Sequence, residues 1–134
     1  MTYMLDTNIC IYSIKNKPEQ VLRHLKQNLH TGLCISAITL AELEHGVEKS
    51  AYPERNTLAL MQFLSILEVL PFGDLAAVEY GKLCAHLQKQ GTPVGTMDML
   101  IAAHALAEDL TLVTNNTREF IRIPGLRLEN WAEP

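Results

Sequence analysis

The chain has 134 residues, which suits one domain burying roughly two thirds of its unfolded surface and leaves too little for two ordinary ones. Hydrophobic residues make up 48% and charged residues 19%, values that exclude disordered, collagen-like and fibrous classes. The formal charge of −4 excludes a broad basic face of the kind that coats nucleic acid, while leaving local basic contacts open.

No apolar run approaches the ~20 residues of a membrane-spanning helix. The N-terminus MTYMLDTNIC lacks a basic region followed by an apolar stretch and cleavage site, so a cytoplasmic protein with no membrane contact is expected. Cys10, Cys34 and Cys84 are odd in number, contain no CxxC pair and lie in apolar stretches. They read as buried thiols of a reducing compartment, not as a disulfide frame or zinc site.

Taken in chain order, Tyr3 to Leu5 predicts a short strand ending at Asp6, and Pro18 to Leu29 sets Val21, Leu22, Leu25 and Leu29 at helical spacing. Leu33 to Ile35 predicts a second strand and Thr39 to Lys49 a helix, and Pro53 suits the first turn of another helix reaching Leu67. Glu68 to Leu70 reads as a third strand ended by Pro71, and Asp74 as the cap of a helix running to Gln90, where Gly91 stops it. Gly95-Thr96 opens a helix through Met97 to Ala107, Leu112 and Val113 supply a fourth strand, and Arg127 to Glu129 adds a fifth at the edge. Strands alternating with helices predict a three-layer α/β/α sandwich with a short, mainly parallel central sheet, forming one domain over residues 1–134. Ligand sites in such sheets lie beyond the carboxyl ends of the strands.

The acids are the chemically informative residues. Asp6 ends the first strand, where it is either a helix cap or a functional carboxylate. Asp98 is the sole formally charged residue between Lys89 and Glu108, in a helix apolar enough to be buried. It reads as a first-turn acid favoured by the helix dipole, or as a metal ligand whose desolvation a cation would offset. Glu42 lies in Leu40-Ala41-Glu42-Leu43-Glu44-His45-Gly46, and the helical wheel places Glu44 nearer than Glu42 to the apolar stripe, with both at the surface. Thr114-Asn115-Asn116-Thr117-Arg118-Glu119 follows the fourth strand and reads as a capped turn or as a site segment. Removing Asp6, Glu42, Asp98 and Glu119 from the fifteen acids leaves eleven against eleven Lys and Arg, so these four positions account for the net charge. Oxygen-only ligation of that kind selects magnesium or manganese over zinc or copper.

Two basic groups stand apart from the acids. Lys15, Lys17, Arg23 and Lys26 are opposed only by Glu19, and Arg118, Arg122 and Arg127 gather near the C-terminus; each group reads as a solvated face or a local contact. The five histidines include no HExxH, and His104 on its apolar helix reads as a satisfied core residue. No GxxxxGK[ST] or GxGxxG is present.

These motifs together resemble the PIN-domain ribonucleases, and among them the VapC toxins of bacterial toxin–antitoxin pairs. The likeness spans nearly the whole chain and rests on Met4-Leu5-Asp6-Thr7-Asn8, Ala41-Glu42-Leu43 with Gly46, Pro93-Val94-Gly95 before Asp98, Leu100-Ile101-Ala102-Ala103-His104-Ala105, and Val113 to Phe120. The resemblance, not the periodicity, selects Glu42 over Glu44. It implies an acidic catalytic core of Asp6, Glu42 and Asp98, with Glu119 or Asn116 completing the metal sphere. Asn116 stands where the family often has Asp and brings a neutral oxygen. Thr7, Asn8, Thr114 and Arg118 are implied substrate contacts. The implied activity is a magnesium- or manganese-dependent endoribonuclease using metal-activated water, with tRNA cut in the anticodon stem-loop, the initiator tRNA in particular. The implied partners are a VapB-like antitoxin whose tail covers the site, a second copy of the chain, and operator DNA bound through the antitoxin. A magnesium-dependent aspartyl phosphatase is the competing enzyme, opposed by Asn8 where a second Asp is wanted. A non-catalytic PIN-like binding module is the non-enzymatic alternative, opposed by the presence of all three acids.

Overall fold

The computed structural model describes residues 2–133. Strand β1 (Tyr3–Leu5) leads directly into α1 (Thr7–Ile14), followed by α2 (Glu19–Asn28), a 3-10 turn (Leu29–Thr31), β2 (Leu33–Ser36), α3 (Ala37–Glu48) and α4 (Pro53–Leu64). The second half runs β3 (Glu68–Leu70), α5 (Asp74–Gln90), α6 (Thr96–Ala107), β4 (Thr111–Val113), α7 (Thr117–Phe120) and β5 (Leu128–Glu129). The five strands form one sheet in the order β3-β2-β1-β4-β5, and every neighbouring pair is parallel. The sandwich predicted from the alternation is therefore present, with a wholly parallel sheet.

Side-chain alternation along the central strands divides the core into two layers. Met4, Cys34 and Leu112 pack under α5, α6 and α7 with Leu83, Leu87, Ile101 and Phe120. Leu5, Leu33, Ile35 and Val113 face the opposite way and pack under α1 to α4 with Ile9, Val21, Leu43, Leu60 and Trp131. Both faces are covered, which is why these strands read as continuous apolar runs.

Several elements depart from expectation. The first helix starts at Thr7, not near Pro18, because Asp6 caps it; five of the eight residues in TNICIYSI are apolar or aromatic, so the segment shows no clear helical period. Helix α3 begins at Ala37, two residues early, since Ser36 caps it by accepting a hydrogen bond from the Ile38 N–H at 3.1 Å. Helix α4 stops at Leu64, short of Leu67, as Ile66 and Leu67 turn back onto the carbonyls of Phe63 and Leu64. Asp74 does not cap α5: Gly73 holds the cap position without a side-chain bond, and Asp74 is the first helical residue. Gly91 ends α5 in the left-handed conformation, φ 67°, as read from the sequence. The polar turn after β4 contains the short helix α7, and Arg127 begins no strand. Cys10 and Cys34 are buried, whereas Cys84 is half-buried with its Sγ 3.9 Å from Met99 Sδ. No described helix is long and apolar enough to cross a membrane.

His104 is fully buried, but only half satisfied. Its Nδ1 lies 2.7 Å from Ser36 Oγ, while Nε2 has no partner and the ring meets Phe72 edge to face. One hydroxyl thus caps α3 and also ties α6 to the end of β2. Ser36→Ala removes both bonds and is expected to destabilise the protein by about 2 kcal/mol. Urea unfolding should show this as a lower midpoint with unchanged slope. A loss below about 0.5 kcal/mol would contradict the dual role.

Candidate active site

The carboxyl ends of β1 and β4 are adjacent in the sheet and deliver the first two site segments together. Asp6 directly follows β1, is 4% exposed, and caps α1. Its Oδ1 accepts the Thr7 N–H at 2.9 Å, and its Oδ2 accepts the Thr114 hydroxyl at 2.8 Å. The capping and functional readings of Asp6 therefore coexist on one side chain. Thr114, fully buried after β4, also accepts the Asn116 N–H at 3.0 Å, fixing the turn into α7.

Glu42 comes from α3, which starts at the same end of the sheet after β2. It is half-buried, whereas Glu44 is exposed, so the wheel's ranking of the two is reversed. The cause is α1: the Thr7 hydroxyl reaches across and donates to Glu42 Oε1 at 2.6 Å, with Thr39 Oγ1 3.4 Å away. A single-helix wheel cannot register a neighbour that covers the less apolar side.

Asp98 sits in the first turn of α6 and Glu119 in α7. Glu119 Oε1 accepts the Gly95 N–H at 3.0 Å and its Oε2 accepts the Asn116 side-chain amide at 2.9 Å. A Cβ on Gly95 would lie 3.8 Å from Asp98 Oδ2 and 3.9 Å from Glu119 Oε1, so these two carboxylates converge above the glycine. Arg118 and Asn8 are exposed, and Asn8 reaches Asn115 at 3.5 Å.

The electrostatics follow from this crowding. The Asp98 carboxyl is pushed up to about 6, chiefly by burial, then by the charges of Asp6, Glu119 and Glu42, and by its hydrogen bond to Glu119. Burial also raises Asp6, where the bonds from Thr114 and Thr7 oppose the shift and Glu42 and Glu119 add to it. Glu119 is lowered, first by the Gly95 N–H and then by Asn116, with help from the Arg122 guanidinium. Each of the four acids thus acts on at least one of the others. Among the described residues, no three His, Cys, Asp or Glu side chains are gathered closely enough to hold a metal ion as they stand. The four instead present an all-oxygen, mutually repelling array, and the chemistry of that donor set fits a hard divalent cation.

Sequence reasoning gave no site role to Gly95, Thr39, Asn115 or Tyr12, although Gly95 and Asn115 lie within the motifs that carry the resemblance. Asn115 donates to the Tyr12 hydroxyl at 2.9 Å, bridging the turn after β4 to α1. The Asn115-Asn116 pair after a strand is a visible turn signal, but nothing in the pattern points to Tyr12 as its partner. Beside Glu42, an apolar groove of about 430 Å³ runs between α1, α3 and α4, lined by Ile11, Ile14, Leu43, Val47 and Leu60, with Lys15 and Lys49 also on its walls.

A parallel sheet with carboxylates from four segments at one end defines a class of protein, and comparison with known proteins agrees. The family model described as PIN domain matches residues 3–126. The tRNA(fMet)-specific endonuclease VapC of Salmonella typhimurium is 52% identical over 98% of this chain and 99% of its own. Ribonuclease VapC2 of Haemophilus influenzae is 50% identical over 98% and 99%. The crystal structure of VapBC2 from Rickettsia felis bound to a promoter DNA fragment superposes with a TM-score of 0.93 at 47% identity, covering 98% of this chain and 99% of that one. The chain belongs to the PIN-domain family, in its VapC branch.

Burial and like-charge repulsion make the ionised Asp98 a cost to stability. Its folded pKa is raised above the unfolded value, so the stability it contributes is present below about 4 and is lost as pH rises through about 6. In EDTA at pH 7.5, Asp98→Asn should therefore be more stable than the parent, by about 1 kcal/mol once solvent screening of this partly exposed group is allowed for. The gap should close by pH 4. Thermal melts at the two pH values check this, and a variant less stable than the parent at both would contradict it.

Proposed function

We propose that this chain is the toxin of a type II toxin–antitoxin pair, a magnesium- or manganese-dependent endoribonuclease that cuts tRNA and thereby arrests translation. The observation that carries the reading is the assembly of Asp6, Glu42, Asp98 and Glu119 at the carboxyl end of a parallel sheet, where burial and then their mutual charges raise Asp6 and Asp98. The name of the Salmonella relative supports tRNA(fMet) as the substrate, and the anticodon stem-loop is the proposed point of cleavage. One PIN domain is proposed to span the chain, acting in the bacterial cytoplasm.

In this reading Asp6, Glu42 and Asp98 would hold the cation, and the neutral oxygen of Asn116 or the carboxylate of Glu119 would complete its shell. A bound divalent ion supplies a lowered pKa for water and neutralises charge on the phosphodiester. The chain's own residues do the positioning. Thr114 and the Thr7 N–H orient the two oxygens of Asp6, and the Thr7 hydroxyl orients Glu42. Glu119, held by Gly95 and Asn116, fixes the approach of α7 to α6. The exposed Arg118 and Asn8 stand where a phosphate or base can reach them. In-line attack by water would form a new P–O bond as the P–O3′ bond breaks, leaving a 5′-phosphate on one fragment and, after proton uptake, a 3′-hydroxyl on the other.

A VapB-like antitoxin is the proposed partner, as in the Rickettsia and Salmonella complexes with DNA. Its tail would cover the carboxylates and lie in the apolar groove beside Glu42, while its other end carries the assembly to operator DNA. The exposed Leu58, Met61, Leu75 and Val78 on α4 and α5 suit a homodimer contact.

The test is a gel assay of total tRNA with the purified, antitoxin-free chain, in magnesium or manganese and in EDTA. Discrete fragments are expected only with metal, and Asp98→Asn should lower the cleavage rate by about a hundredfold or more while remaining folded. Cleavage by the variant at the parental rate would refute the role of the acids, and intact tRNA with the folded parent would refute the substrate.

A further inference from the structure

Helix α1 leaves the carboxylates carrying a polar stripe. Asn8, Tyr12 and Lys15 follow one another at four and three residues, so they lie on one face of α1 and extend about 10 Å along its axis. The stripe is continuous with the site: Thr114 holds Asp6, its neighbour Asn115 donates to the Tyr12 hydroxyl, and Asn8 reaches the same Asn115. Beyond Tyr12 the stripe opens into a hollow of about 530 Å³ lined by Tyr12, Lys15, Lys17, Pro18 and Ala132. Both lysines are exposed, and neither is in an ion pair among the described residues. From Thr7 to Ala41 the chain has four Lys and Arg residues against the single acid Glu19. In a protein of net charge −4 with four of its acids gathered at the site, this is a positive surface beside them, on the α1 side.

A basic surface with an aromatic ring beside its charges is an arrangement that holds single-stranded nucleic acid, phosphates on the cations and a base on the ring. We propose that the RNA strand flanking the scissile phosphate leaves the acidic site along this face of α1, with Lys15 and Lys17 neutralising its backbone and Tyr12 stacking on a base. The inference rests on the ribonuclease reading and adds to it the path of the substrate and the residues that bind it. The Tyr12 hydroxyl is occupied by Asn115 and the residue packs partly against the core, so its side chain is held in place where it lines the hollow. Lys15 and Lys17 touch no reacting atom; they raise affinity, not the rate of the bound complex.

The experiment measures binding, so that it stands whether or not cleavage occurs. Asp98→Asn protein in EDTA is titrated into a fluorescein-labelled stem-loop RNA, and anisotropy gives Kd across a salt series. In this background Lys15→Ala with Lys17→Ala should reduce the slope of log affinity against log salt by about 1.4, the share of two phosphate contacts on a single strand. Tyr12→Ala should weaken binding roughly tenfold, while Tyr12→Phe keeps the ring and stays near the parental value. Lys82→Ala with Lys89→Ala, the same charge change on α5 in the opposite layer, should leave the slope unchanged. An unchanged slope in the α1 double variant, or an equal fall in both double variants, would overturn the proposal. RNA binding that depends on Lys15 and Lys17 without metal-dependent cleavage by the parent would keep the path and refute the nuclease. Absence of any RNA binding by the folded protein would refute both.

Discussion

The structure is arranged around a buried carboxylate in the company of like charges. Asp6 is almost inaccessible and sits where the central strand ends, and burying an ion there is unfavourable unless donors surround it. Two donors do so, the Thr7 N–H at the start of α1 and the Thr114 hydroxyl at the end of β4. Both depend on the parallel pairing of β1 with β4, which brings residues 108 positions apart in sequence into contact. The remaining acids then arrive on helices that begin at the same sheet end, and each is held by its own donor: Glu42 by Thr7, Glu119 by Gly95 and Asn116. Asp98 is the exception. Its carboxyl is pushed up by burial and by the charges of its neighbours, so it is the position where a cation relieves the most unfavourable charge.

That arrangement trades stability for a charged site. Hydrogen bonds offset the desolvation of Asp6 and Glu119, and the two-layer core supplies the free energy that lets Asp98 remain uncompensated. The same economy explains the distribution of charge over the surface. With four acids drawn to one end of the sheet, the flanking face of α1 carries lysines, and an anionic polymer meets attraction beside the site before it meets the carboxylates within it.

Much of this was legible in the sequence because its signals were local. The strands, the α/β alternation, Gly91 as a stop and the apolar helix around Asp98 all follow from patterns a few residues long. What failed to show depended on neighbours distant in sequence. Helix α1 was invisible because five of its eight residues are apolar or aromatic, so its short polar stripe sets no clear period. Glu42 was misranked by its wheel because the residue that covers it, Thr7, lies 35 positions away. The half-satisfied state of His104 depends on Ser36, 68 positions distant, and on the ring of Phe72. The family resemblance selected Glu42 where the wheel did not, whereas the Asn115 to Tyr12 bridge came only from coordinates.

The central claim is that the four acids form a cation site whose occupancy depends on Asp98. Calorimetric titration of manganese into the metal-free chain, with Asp98→Asn titrated alongside, tests it most directly. The account predicts saturable binding by the parent and affinity at least about tenfold weaker in the folded variant, since one anionic ligand of the array is lost. Equal affinity in the two proteins, or no binding by a parent that is demonstrably folded, would contradict it.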